Sequence, residues 1–164
     1  MLTSHELFGF MPPSLAADIL EHAHTNDRDL YRATLNAVAS VRRVRTIFLD
    51  KQPRPARHAG MVAYLSRPGL ELAAGTLLRG WLLKAHKSLL VDFLDGVGIA
   101  HKDGVVDDLP ESADDAKLKS SVDALMAKHA PDVVKVYLHS FNTMNESQWK
   151  NLEAILKDDA RLQF

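Results

Sequence analysis

The sequence predicts an all-α, single-domain bundle of about six to eight helices packed around a buried central helix at about residues 70–97. Three observations carry this. Apolar residues recur every three to four positions along most of the chain. Capping residues and prolines sit where those periodic stretches begin or end. The stretch from Leu70 to Val97 is apolar in nearly every helical direction, as suits a buried helix.

Thr3 with Glu6 forms a capping box for a short first helix. Pro12-Pro13-Ser14 opens a second, with Leu15, Ile19, Leu20 and Ala23 on its apolar face. Asn26 suits the cap of a third, with Asp27 and Asp29 in the first turn. Leu30, Leu35, Val38, Val41, Val44, Ile47 and Phe48 continue one face, so this helix is expected to reach about Asp50. Pro53 and Pro55 break it, and a shorter helix covers 57–65.

Leu70, Leu77, Leu78, Trp81, Leu82, Leu89, Leu90, Phe93 and Leu94 mark the central helix, which Gly96 and Gly98 end. A loop rich in Asp and Gly follows to Glu111. Ser112 with Asp115 caps the next helix, whose stripe is Leu118, Val122, Leu125 and Met126, and Pro131 stops it. Residues 133–141 fit a helix capped by Asp132. Their valines also suit a strand, so a small hairpin of 45–49 with 133–139 is the alternative fold. Asn145 with Gln148 caps the last helix, carrying Trp149, Leu152, Ile155 and Leu156.

Charge is lopsided. Residues 1–91 hold 12 Lys+Arg against 7 Asp+Glu, and residues 92–164 hold 8 against 14, while the whole chain sums to −1. The single domain thus divides naturally into a basic subdomain, 1–98, and an acidic one, 99–164. Such asymmetry points to a polar partner for each half or to pairing of unlike halves.

Several chemistries are excluded. With no cysteine there is no disulfide, thiolate zinc site, iron–sulfur cluster or cysteine nucleophile. The first residues lack a basic region followed by an apolar run, so no secretory signal is read. Charges at Glu71, Arg79, Lys84, Lys87, Asp92 and Asp95 interrupt the apolar stretch, which excludes a membrane span. The expectation is a soluble cytoplasmic protein with no membrane contact.

No metal site and no cofactor are expected. His22 and His24 lie two residues apart, so their rings diverge on a helix. The loop His101–Asp108 lacks the alternating oxygen ligands and the final Glu of a calcium loop. Gly96-Val97-Gly98 follows a helix rather than a strand, and His101 stands where a dinucleotide fingerprint needs its third glycine. No catalytic residue is assigned.

One constellation carries weight. Arg28, Arg32, Arg42, Arg43, Arg45, Lys51, Arg54 and Arg57 fall within 30 residues, opposed only by Asp29 and Asp50. Guanidinium forks suit phosphate, and Tyr31, Phe48 and Tyr64 are near enough in sequence to stack on bases. The near-neutral total charge argues against a dedicated nucleic-acid binder.

The leading expectation is therefore a non-enzymatic protein that works through protein–protein contacts, including contacts with its own copies. Nucleic-acid binding by the Arg28–Arg57 surface is the alternative. A small-molecule pocket near Trp81 and His86 is the second alternative.

Overall fold

The computed structural model describes all residues from Met1 to Phe164. The chain is 74% helical and contains no strand, so the hairpin alternative is not realised. Ten α-helices follow in order: α1 Ser4–Phe10, α2 Pro13–Asn26, α3 Arg28–Arg42, α4 Thr46–Asp50, α5 Arg54–Leu65, α6 Glu71–Ala85, α7 Lys87–Val97, α8 Asp115–Lys128, α9 Pro131–Met144 and α10 Lys150–Asp158. Single 3₁₀ turns cover Pro68–Leu70 and Ala160–Leu162.

The chain forms two compact units. One is Thr3–Trp81; the other is Leu82–Phe164 together with Met1–Leu2. In the N-terminal unit α2 packs on α3 and α5, α1 on α5, and α3 on α4 and α5. Leu7, Ile19, Leu20, Leu35, Val38, Leu49, Met61, Leu65, Leu77 and Leu78 are among its fully buried residues. In the C-terminal unit α7 packs on α8, and α8, α9 and α10 pack on one another. Phe93, Tyr137, Phe141 and Trp149 form an aromatic cluster there, with three edge-to-face pairs and one tilted pair at centroid separations of 5.0–5.9 Å. Asn142 clamps the turn into α10: its Oδ1 accepts from the Trp149 amide at 2.9 Å and its Nδ2 donates to the Trp149 carbonyl at 3.2 Å.

Local chemistry explains most boundaries. Glu6 accepts from the Thr3 amide at 2.8 Å and from its hydroxyl at 2.9 Å, closing the start of α1. Pro13 and Pro131 occupy first-turn positions, where no amide donor is missed. Gly98 adopts φ 75° and ends α7, with the Ile99 amide reaching back to Leu94 O. Asp103 and Gly104 both have positive φ in the tight turn that pairs Lys102 with Val105.

Four expectations are corrected. The long third helix stops at Arg42: Arg43 takes the left-handed conformation (φ 58°, ψ 41°), the Val44 amide bonds to Ala39 O, and α4 starts afresh at Thr46. The expected central helix over 70–97 is divided into a 3₁₀ turn, α6 and α7, with His86 (φ −130°, ψ 33°) between the last two. Residues 84–88 carry no large apolar side chain, and Lys84, Ala85, Lys87 and Ser88 are exposed, so no burial holds this stretch straight. Nor is this segment buried all round, since Leu72 is 85% exposed. Four caps also move: Asp27 replaces Asn26, Asp114 replaces Ser112, Ala130 precedes Pro131 where Asp132 was expected to cap, and Trp149 takes the cap of α10 in place of Asn145.

Candidate interaction surface

The eight cations singled out by sequence all lie in the N-terminal unit, which holds 10 Lys+Arg against 7 Asp+Glu; the C-terminal unit holds 10 against 14. They do not form one surface. Helix α3 separates Arg28 from Arg43 by about 22 Å at the usual rise per residue. Apart from Arg28, at the first position of α3, the cations form two groups with different surroundings.

The first group is tied into the fold. Arg32 grips Asp50 with two hydrogen bonds, at 2.7 and 3.1 Å. That contact holds the Asp50 carboxyl below the usual carboxylate range. Arg54 pairs with Glu21 at 2.6 Å and lies 3.4 Å from His24 Nδ1. Arg57 donates to the carbonyls of Asp50 and Gln52 and to the Tyr31 hydroxyl. These bonds join the end of α4 to α3 and α5. Burial, followed by the charges of Arg54, Arg28 and Arg57, lowers the pKa of His24.

Behind this group lies a polar network that the sequence reading missed. Tyr31 Oη lies 2.9 Å from His58 Nε2 and 3.0 Å from Arg57. A guanidinium can only donate, so the phenol accepts from Arg57 and is free to donate to an unprotonated His58 Nε2. His58 Nδ1 faces Glu21 at 3.9 Å. Tyr31 and His58 are only 1% and 4% exposed, which leaves no room for a substrate against either. The network is an internal brace.

The second group stands at the α3–α4 corner. Arg43, Arg45 and Lys51 are exposed and make no ion pair. Arg42 lies over the Tyr64 ring at 5.4 Å, and Arg67 covers the same ring at 4.0 Å. Three large apolar side chains are exposed on the same two helices: Ile47 (60%) and Phe48 (54%) on α4, and Val41 (44%) near the end of α3. Val44, Arg45, Ile47, Phe48 and Lys51 line a shallow hollow of about 340 Å³. Leu49 and Asp50, the intervening α4 residues, turn inward to the core and to Arg32. A five-residue helix thus shows an apolar face to the outside with a cationic rim and no free carboxylate.

By sequence, Val41, Ile47 and Phe48 continue the apolar stripe of one long helix. The break at Arg43 removes them from that stripe. The one signal for this corner was its interleaving of cations with apolar residues and its lack of an acid between Val41 and Leu49. Of the proposed base-stacking residues, Tyr31 is core, Tyr64 is covered by arginines and only Phe48 is open.

Two sequence candidates remain. Trp81 is buried on α6 in the N-terminal unit, and His86 is half-buried at the start of α7 in the C-terminal unit. No cluster of three or more His, Asp or Glu side chains is arranged to hold a metal ion. No helix is long and apolar enough to cross a membrane. No protein-family model, no curated protein and no solved structure matches the chain.

Proposed function

We propose that the protein is a non-enzymatic docking module, and that the α3–α4 corner is its protein-binding face. The observation that carries this reading is the exposure of Ile47, Phe48 and Val41 beside three cations that nothing in the fold neutralises. Exposed large apolar side chains cost free energy in water, and an apolar centre with a polar rim is the usual anatomy of a protein interface. The rim's sign selects the partner: an acidic surface carrying one or two apolar side chains.

Nucleic acid fits less well. Of the eight cations, Arg32, Arg54 and Arg57 are spent on Asp50, Glu21 and backbone carbonyls, and Arg42 is stacked on Tyr64. That leaves Arg28 and, about 20 Å away along α3, the three corner cations.

The test is fluorescence anisotropy with three probes at low and moderate salt: a labelled Glu- and Leu-rich amphipathic peptide, a mixed-sequence single-stranded DNA, and anionic lipid vesicles. The expected result is salt-sensitive binding of the peptide, weakened at least tenfold by Ile47→Ser/Phe48→Ser with the melting temperature unchanged. Binding of DNA or vesicles in preference to the peptide overturns the reading, as does peptide binding that the double substitution leaves intact.

A further inference from the structure

We infer that the α3–α4 corner docks onto a second copy of this chain, in the groove between α8 and α10, giving a head-to-tail contact. The inference rests on the docking reading above and adds the identity of the partner.

The groove is the chemical counterpart of the corner. It measures about 320 Å³ and its apolar lining comes from Val122, Ala154 and Ile155. Its charged residues are Asp123, Asp158 and Asp159 against Lys119 and Arg161, a net of −1. Arg161 is held by Asp123 and Asp159, each at 2.7 Å, so the three groups together carry one net negative charge. Asp158, at the last position of α10, has no cationic partner. The surrounding unit carries four more acids than bases, whereas the unit bearing the corner carries three more bases than acids. Ile47 and Phe48 thus find an apolar lining, and Arg45 and Lys51 find a net acidic rim with the unpaired Asp158, on the same surface.

Two different surfaces meet in this contact, so it is heterologous. Repeated, it builds open chains or a ring rather than a closed two-fold dimer. One corner in one groove is a small interface, at the weak end of the range, so assembly should depend on concentration. It should also weaken as salt screens the rim charges, whose reach falls to about 10 Å at 0.1 M.

The decisive experiment is sedimentation velocity over roughly 10 µM to 1 mM, spanning affinities expected of a small interface. Wild-type protein is compared with Ile47→Ser/Phe48→Ser, which removes the corner, and with Ala154→Arg, which places a cation in the groove at an exposed position. Circular dichroism melts check folding, and Asp158→Lys replaces Ala154→Arg if the latter lowers the melting temperature. The expected result is wild-type mass that rises with concentration and falls with salt. Each variant alone stays at the 18.2 kDa monomer. Their mixture forms a two-chain species and nothing larger, because one supplies the only intact groove and the other the only intact corner. A wild-type monomer at every concentration overturns the inference, and so does a mixture that fails to pair. Either result combined with peptide binding by the corner leaves the docking reading standing with a different acidic partner.

Discussion

His58 shows how one side chain couples the N-terminal unit to pH. Burial pushes its pKa from 6.5 down to about 4, and an unprotonated Nε2 can accept from the Tyr31 hydroxyl. Glu21 acts in the opposite direction, but desolvation dominates. The unfolded chain binds a proton near pH 6.5 that the folded chain refuses until about pH 4. Stability is therefore full above about pH 6.5 and is lost as pH falls toward 4, by on the order of 2–3 kcal/mol for this group alone. Urea unfolding at pH 7.0, 5.5 and 4.5 should show that loss, and His58→Gln should make the slope shallower while lowering stability at pH 7. An unchanged slope in the variant would contradict this assignment. His58 has no ligand-like spacing around it in the chain, and its partners Glu21 and Tyr31 come from two other helices, α2 and α3, so sequence alone offers no route to this network. The arginine run was visible in the sequence, but which arginines are spent on the fold depends on Asp50 and Glu21, which are distant in sequence from Arg32 and Arg54.

At the scale of elements, helix ends could be read where the residue type announces the backbone conformation. They could not be read where an ordinary residue adopts the same conformation. Gly98 and Arg43 both take left-handed φ at helix ends, and both are followed by an amide that reaches back five residues. Glycine signals this in the sequence and arginine does not. The division of α6 from α7 was hidden differently. Buried Leu82 and Leu89 lie seven residues apart, two helical turns, so the apolar period runs through His86 as if the helix were unbroken. Glycines inside helices separate in the same way by what they touch. A Cβ on Gly96 would meet Ser121 Oγ at 2.6 Å and Ser121 Cβ at 3.1 Å, where α7 packs on α8, whereas a Cβ on Gly60 of α5 would meet nothing within 4 Å. Gly96→Ala should therefore destabilise by about 1–2 kcal/mol, overpacking outweighing the gain in helix propensity. Gly60→Ala should stabilise by about 0.5–1 kcal/mol, since only the propensity changes. Chemical denaturation of the two variants checks both signs, and a stabilised Gly96→Ala would mean that α7 and α8 can separate at little cost.

For the whole molecule, the sequence drew attention to a charge boundary near residue 91, while the compact units divide between Trp81 and Leu82, inside α6. Charge patterning reports surface, and units are defined by which apolar faces close on one another, so the two need not coincide. The C-terminal unit also takes in Met1 and Leu2, which no local pattern could reveal. His139, 2% exposed on α9, gathers distant parts of the chain: its Nδ1 accepts from the Leu2 amide at 3.0 Å and its Nε2 lies 3.1 Å from the Leu162 carbonyl. An amide can only donate and a carbonyl only accept, so the ring is neutral with its proton on Nε2. Thr143 adds a bond to the Leu2 carbonyl. Burial lowers the pKa of His139, as it does for His58, so each unit holds one buried imidazole that must stay uncharged. The sign is the same: His139 contributes stability above about pH 6.5 that is lost as pH falls. Protonating Nδ1 would also set a donor against the Leu2 amide. His139→Leu leaves that amide and the Leu162 carbonyl without partners and should cost about 2–3 kcal/mol at neutral pH. Hydrogen exchange followed by mass spectrometry gives the location. In His139→Leu, protection should fall in peptides covering α9 and 160–162 and persist in α2, α3 and α5, with His58→Gln giving the reverse pattern. Uniform loss of protection in both variants would mean that the two units unfold as one, and that acid acts on the molecule through a single transition rather than through two separately braced cores.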